Sequence, residues 1–226
     1  MGISKGMSEE ELRAFLRTLT PRTQRIGEVD LSDSNIWIQS SHYDWLIDFG
    51  TAYHKSAAHL VDIFFRNDKS GSFDGLPAIF LYRHSIELLL KAIGVQLVLT
   101  SRFKNKPVKA LKDDVKNYLQ GHSIEYHLQK VCEDLKRVQL SFSLTILNEV
   151  ELKRRILDLE NLDSGSFTFR YPTGKDGSPS IPKTFKLNLR SFKEKYDPVV
   201  AELTATAEDI PRDLLITQEQ DELRAP

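Results

Sequence analysis

An all-α bundle of about five helices is the fold this sequence predicts. Apolar residues recur at spacings of three and four over long stretches, and the segments between them are punctuated by Gly, Ser, Asp and Pro. Only residues 165–187 carry a pattern that suits a small β-hairpin or a long loop. With 226 residues the chain suffices for one large domain with tails, but not for two domains of ordinary size and their linkers. The expected organisation is an accessory helix and loop over 1–40, the helical domain over 41–209 and a polar tail over 210–226.

The first helix signal is Ser8-Glu9-Glu10-Glu11, a capping-box pattern that opens a short helix ending before Pro21. Residues 27–41 then read as a loop pinned by Trp37. From about Tyr43 to Arg66, Trp45, Leu46, Phe49, Tyr53, Leu60, Ile63 and Phe64 form an apolar face opposite a polar stripe, which predicts a long helix. Ser70 to Gly75 breaks it, and Pro77 suits the first turn of a second helix running to about Leu99. Such neighbours should pack antiparallel. Residues 100–120 read as a polar connection whose Arg102, Lys104, Lys106, Lys109, Lys112 and Lys116 are either solvated or a local basic patch. Further helices are expected over about 122–138, 145–159 and 189–209, with Pro198 kinking or restarting the last and a frayed tail beyond Pro211.

Bulk chemistry narrows the function. A formal net charge of -1 offers no global field for nucleic acid or an anionic membrane, so such binding needs a local patch. The longest apolar run, near Leu88 to Leu99, is interrupted by Lys91 and Gln96, and no stretch is long enough to span a bilayer. The segment from Met1 to Gly6 has no apolar signal core, and Gly6 stands where a myristoylation signal has Ser or Thr; a cytoplasmic protein is expected. Cys132 is the single cysteine, which excludes an internal disulfide and reads as a small inward-facing residue.

The segment Tyr82-Arg83-His84-Ser85-Ile86-Glu87-Leu88-Leu89-Leu90-Lys91-Ala92-Ile93 carries the strongest functional signal. Arg83, His84, Glu87 and Lys91 fall within an arc of roughly 100° on a helix otherwise apolar, so the charged stripe is expected to face water, a partner or a ligand. One reading is a pair of solvated i,i+4 salt bridges. The other is an anion site in which Arg83 and Lys91 hold phosphate and Glu87 orients them, so that Arg83→Ala would weaken binding and spare the fold. His84 suits either general acid/base work or a structural hydrogen bond. His122 follows Gly121 at a helix start, where a cap or packing residue is the plainer reading. His54 reads as a core histidine. His122 and His127, five apart, lie on different helix faces, and no metal site or cofactor is expected. Gly174-Lys175-Asp176-Gly177 lacks the phosphate-loop pattern and reads as a turn. Arg170 and Tyr171 offer a cation beside a stacking ring, or a clamp for their loop.

Three segments together resemble a HEPN-type domain, the helical higher eukaryote and prokaryote nucleotide-binding family. They are Ser85-Ile86-Glu87-Leu88-Leu89-Leu90-Lys91-Ala92-Ile93, then Gly121-His122-Ser123-Ile124, then Leu162-Asp163 with Phe169-Arg170-Tyr171-Pro172. The resemblance covers about residues 43–205 and implies a prokaryotic defence or toxin-antitoxin setting, a homodimer, and a position for His122 near Arg83. Ribonucleases of that family carry Arg, four to six residues, then His. None of His42, His54, His59, His84, His122 and His127 has an arginine at that distance before it. The expected function is therefore binding of RNA or a nucleotide without cleavage, through Arg83, His84, Glu87, Lys91, His122, Arg170 and Tyr171. Two alternatives stand beside it: a divergent metal-independent ribonuclease using Arg83, His84 and His122, and a helical module that docks a protein partner encoded nearby.

Overall fold

The computed structural model describes residues 45–66, 74–102, 108–174, 176–181 and 186–224. The helix expected at 8–19, the Trp37 loop and most of the 70–75 breaker lie outside them. Six α-helices are present among the described residues: α1 (Trp45–Arg66), α2 (Leu76–Arg102), α3 (Val108–Leu119), α4 (Ile124–Arg137), α5 (Glu149–Leu162) and α6 (Leu189–Arg224). The all-α bundle is as expected. No strand occurs among the described residues; the 165–187 region contains a 3₁₀ turn at Ser164–Ser166 and one isolated bridge between Thr173 and Pro179. Pro172, Pro179 and the glycines favour turns over a paired ladder, which is why the hairpin does not form.

Helix α2 is the centre of the bundle. Ile79, Tyr82, Ile86, Leu89, Leu90, Ile93 and Leu97 are at most 2% exposed, and α2 packs against α1, α3, α4 and α6. Gly50 of α1 abuts Leu89, and the Ser85 hydroxyl donates to the Gly50 carbonyl at 2.7 Å, so the two longest early helices approach closely. On the α6 side, Asp197 accepts from Tyr82 Oη at 2.6 Å and Lys193 at 2.8 Å and lies 2.8 Å from His54 Nε2. His54 thus anchors α1 to α6 from a half-buried position.

Two expectations are corrected here. Residues 108–119 form a helix rather than a polar connection, because Val115 and Tyr118 bury against the bundle between exposed Asp113, Lys116 and Asn117. The lysines concealed that periodicity. Helix α6 also continues past Pro198 without restarting, and past Pro211, where a frayed tail was expected, to Arg224. Its buried face, Phe192, Tyr196, Val199, Val200, Leu203, Ala207 and Ile210, continues past Pro198, and that burial offsets the lost backbone hydrogen bond.

Gly94 lies under the ring of Tyr118, where an added methyl would overlap ring carbons. The ring cannot easily yield, since its hydroxyl is bonded to buried Asp134. In an exposed helix Gly→Ala would stabilise by about 1 kcal/mol. Here Gly94→Ala should destabilise by about 1–3 kcal/mol, the usual cost of overpacking. A thermal melt showing unchanged or increased stability would refute this account of the α2–α3 contact.

Candidate functional site

The charged stripe of α2 is interior. Arg83 is 0%, Glu87 1% and Lys91 5% exposed, which corrects the expectation of a solvent-facing row. Charges taken from water this completely need partners, and α2 itself, the turn before α4 and the end of α5 supply them. Arg83 Nε donates to the Asp163 carbonyl at 2.8 Å, Nη1 to Glu87 at 3.1 Å, and Nη2 to the His122 carbonyl at 2.5 Å and Glu160 at 3.0 Å. Lys91 donates to Glu87 at 2.7 Å and to the Gly121 carbonyl at 2.8 Å. Gly121 has φ +78°, the left-handed conformation that turns its carbonyl toward α2.

The turn before α4 is therefore pinned by α2 through two backbone carbonyls. Ser123 caps α4 by accepting from Tyr126 N–H, and Glu160 accepts from Ile124 N–H at 3.0 Å while also holding Arg83. Asp163 accepts from Thr168 N–H at 2.7 Å and so ties the 3₁₀ turn to the same cluster. Two cations face three carboxylates, Glu87, Glu160 and Asp163. The interior network is thus anionic, and the Arg83 fork is occupied internally, which leaves it unable to receive a phosphate.

Two imidazoles carry the network to the surface. His122, 57% exposed in its side chain, has Nδ1 3.0 Å from Glu87 Oε1; His84, 23% exposed, has Nδ1 3.9 Å from Glu87 Oε2. Burial alone would raise the Glu87 pKa, but His84, Lys91 and His122 together outweigh it and bring it down to about 2. Deeper inside, His127 is fully buried, and its nearest polar partner is the Gly121 backbone, which is too poorly aligned to satisfy a ring nitrogen fully. Burial and the nearby Lys91 cation push its pKa down to about 4.

Outside this cluster runs a row of rings. Trp45 and Phe49 meet at 6.0 Å, Phe49 and Tyr53 at 6.4 Å, and Tyr53 and His84 at 4.7 Å. His84 stacks nearly parallel on Phe80 at 5.6 Å. The Arg170 guanidinium lies 5.7 Å from the Phe80 ring and 4.9 Å from that of Tyr171, which in turn meets Phe167 at 4.8 Å. The chain matches no protein-family model, no curated protein and no solved structure. Site and fold therefore stand on their own geometry.

All seven residues singled out in the sequence come to one side of the bundle, in three layers. Arg83, Glu87 and Lys91 form the interior, His84 and His122 the solvent boundary, and Arg170 and Tyr171 an exposed outer edge. Sequence reasoning did not single out Glu160, Tyr53 and Phe80. Glu160 and Asp163 continue the buried i,i+4 stripe of Ile156 and Leu159, a signal present in the α5 pattern. Tyr53 and Phe80 are distinguished only by the packing of α1 on α2. No group of three or more His, Cys, Asp or Glu among the described residues is arranged to hold a metal ion, and no described helix is long and apolar enough to cross a membrane.

Proposed function

We propose that the chain is a HEPN-like, non-catalytic protein of the cytoplasm that binds RNA or a nucleotide, in a prokaryotic defence or toxin-antitoxin setting. The ring row from Trp45 to Tyr171 with Arg170 inside it is the observation that carries this reading. Half-exposed rings stack unpaired bases without regard to sequence, and a guanidinium among them contacts phosphate or a base face. The exposed cation replaces Arg83 in the expected role. A mobility shift with labelled single-stranded RNA at two salt concentrations tests it. Binding should weaken with salt, and Arg170→Gln should lower affinity and reduce the salt slope by about one contact without loss of fold. Absence of a shift, or an unaltered one in Arg170→Gln, contradicts the reading.

A second reading has one observation in its favour. His84 and His122 both approach Glu87, at 3.9 and 3.0 Å, an arrangement that would suit metal-independent cleavage with Arg83 holding the carboxylate in place. RNA cleavage abolished by His84→Ala would replace the binding reading with this one; neither binding nor cleavage would leave a protein-docking module. The resemblance extends the proposal to a homodimer, for which Ile146 and Val150, 65% and 78% exposed, supply apolar surface. Sedimentation at micromolar concentration should give twice the 25.9 kDa chain mass, and a monomer throughout would remove this part of the proposal.

A further inference from the structure

An open cavity of about 970 Å³ lies between the end of α1, the start of α2, the turn after the 3₁₀ segment and the start of α6. Its floor is apolar: Ile79, Phe169 and Leu189 are 2%, 8% and 7% exposed, and Phe65, 43% exposed, forms part of a wall. Phe64, Leu76, Pro172, Pro179, Ile181 and Leu187 add further apolar lining. At the rim stand two exposed cations, Arg170 and Lys186, and no carboxylate lines the cavity among the described residues.

That combination selects a ligand class. The floor gains free energy only from hydrocarbon, roughly 25 cal/mol per Å² removed from water, and the rim favours negative charge. A nucleobase placed there would leave most of its ring nitrogens and exocyclic groups without partners, since only Thr168, Asn188 and the Tyr171 hydroxyl provide neutral polar side-chain groups. A neutral hydrocarbon would leave the two cations unused. We infer that this cavity binds a free single-chain organic carboxylate, its hydrocarbon tail on the Ile79, Phe169 and Leu189 floor and its carboxylate at Arg170 and Lys186. The inference does not require RNA binding, but it shares Arg170 and Tyr171 with that proposal, so decanoate and RNA should compete if both bind.

Calorimetric titration of the full chain with decanoate, below the concentration at which it aggregates, tests it. The expected result is one saturable site with a negative heat-capacity change, the mark of apolar burial. Decanol should bind at least tenfold more weakly because it lacks the charge, and hexanoate should also bind more weakly because its tail is shorter. Arg170→Gln combined with Lys186→Gln should weaken decanoate at least tenfold while leaving decanol unchanged. Ile181→Trp, at a half-exposed wall position, should obstruct the tail and weaken both; the surface charge variants decide the matter if it does not fold. Absence of saturable decanoate binding overturns the inference. So does equal affinity for decanoate and decanol, or association with anionic phosphatidylglycerol vesicles in place of the monomeric acid.

Discussion

Arg83→Ala should cost about 3–5 kcal/mol of folding stability, the range for removing one partner of a buried ion pair. The loss would leave Glu160 and Asp163, and the carbonyls of Asp163 and His122, without the donor that joins α2 to the turn before α4 and to the end of α5. Against a typical total stability of 5–15 kcal/mol, that is enough to unfold a marginal domain. Arg83→Lys should also be strongly destabilising, because one ammonium cannot reach all the acceptors the fork now serves. Urea denaturation measures both, and a double-mutant cycle with Glu160→Gln should reveal coupling of 0.5 kcal/mol or more. A loss below about 1 kcal/mol in Arg83→Ala would mean that the side chain is solvated. The sequence had suggested the opposite outcome, a fold indifferent to this residue.

Acid should destabilise the protein in two overlapping windows. His127 is held neutral, its pKa lowered from 6.5 to about 4, so the folded state binds fewer protons than the unfolded state between those values. Stability therefore falls as pH drops from about 6.5 to about 4, by on the order of 3 kcal/mol at 1.4 kcal/mol per unit. Glu87, lowered from 4.5 to about 2, contributes stability that is full above 4.5 and disappears as pH falls toward 2. Chemical denaturation at successive pH values should show midpoints declining from pH 6.5 downward. His127→Phe should flatten the upper window and leave the lower one. A wild-type midpoint constant from pH 7 to 4 would contradict the buried, neutral state of His127.

Much of the fold was legible because periodicity reports which face is buried. The apolar faces of α1 and α2, the breaker ending at Gly75 and the helix start after Gly121 were readable, and the predicted helices from 43 to 159 match within a few residues. Helix α3 was concealed because lysines dominate its composition while only a narrow stripe, Val115 and Tyr118, meets the core. Pro198 misled for a related reason: local propensity cannot weigh the burial of Tyr196, Val199 and Leu203 around it.

The site was half legible. The α2 stripe was visible as a set of charges, but an exposed row and an enclosed one have the same spacing. What decides between them is the pair of acidic residues at the end of α5, Glu160 and Asp163, far away in sequence. His122 was placed near Arg83 by resemblance, and its carbonyl accepts from Arg83; the Gly121 carbonyl, which accepts from Lys91, was not anticipated. The ring row had no counterpart in any single segment, because it joins α1, α2 and the 167–171 turn only after packing.

Stacking of bases on that row is the central claim, and comparing two oligomers with identical phosphates tests it most directly. Affinity for a short single-stranded oligouridylate should exceed that for an abasic oligomer of the same length, by about 1–3 kcal/mol for each base stacked, at one fixed salt concentration. Tyr171→Ala, at a side chain 44% exposed, should reduce that advantage and leave abasic binding unchanged. Equal affinity for the two oligomers would show that the rings from Trp45 to Tyr171 are packing alone.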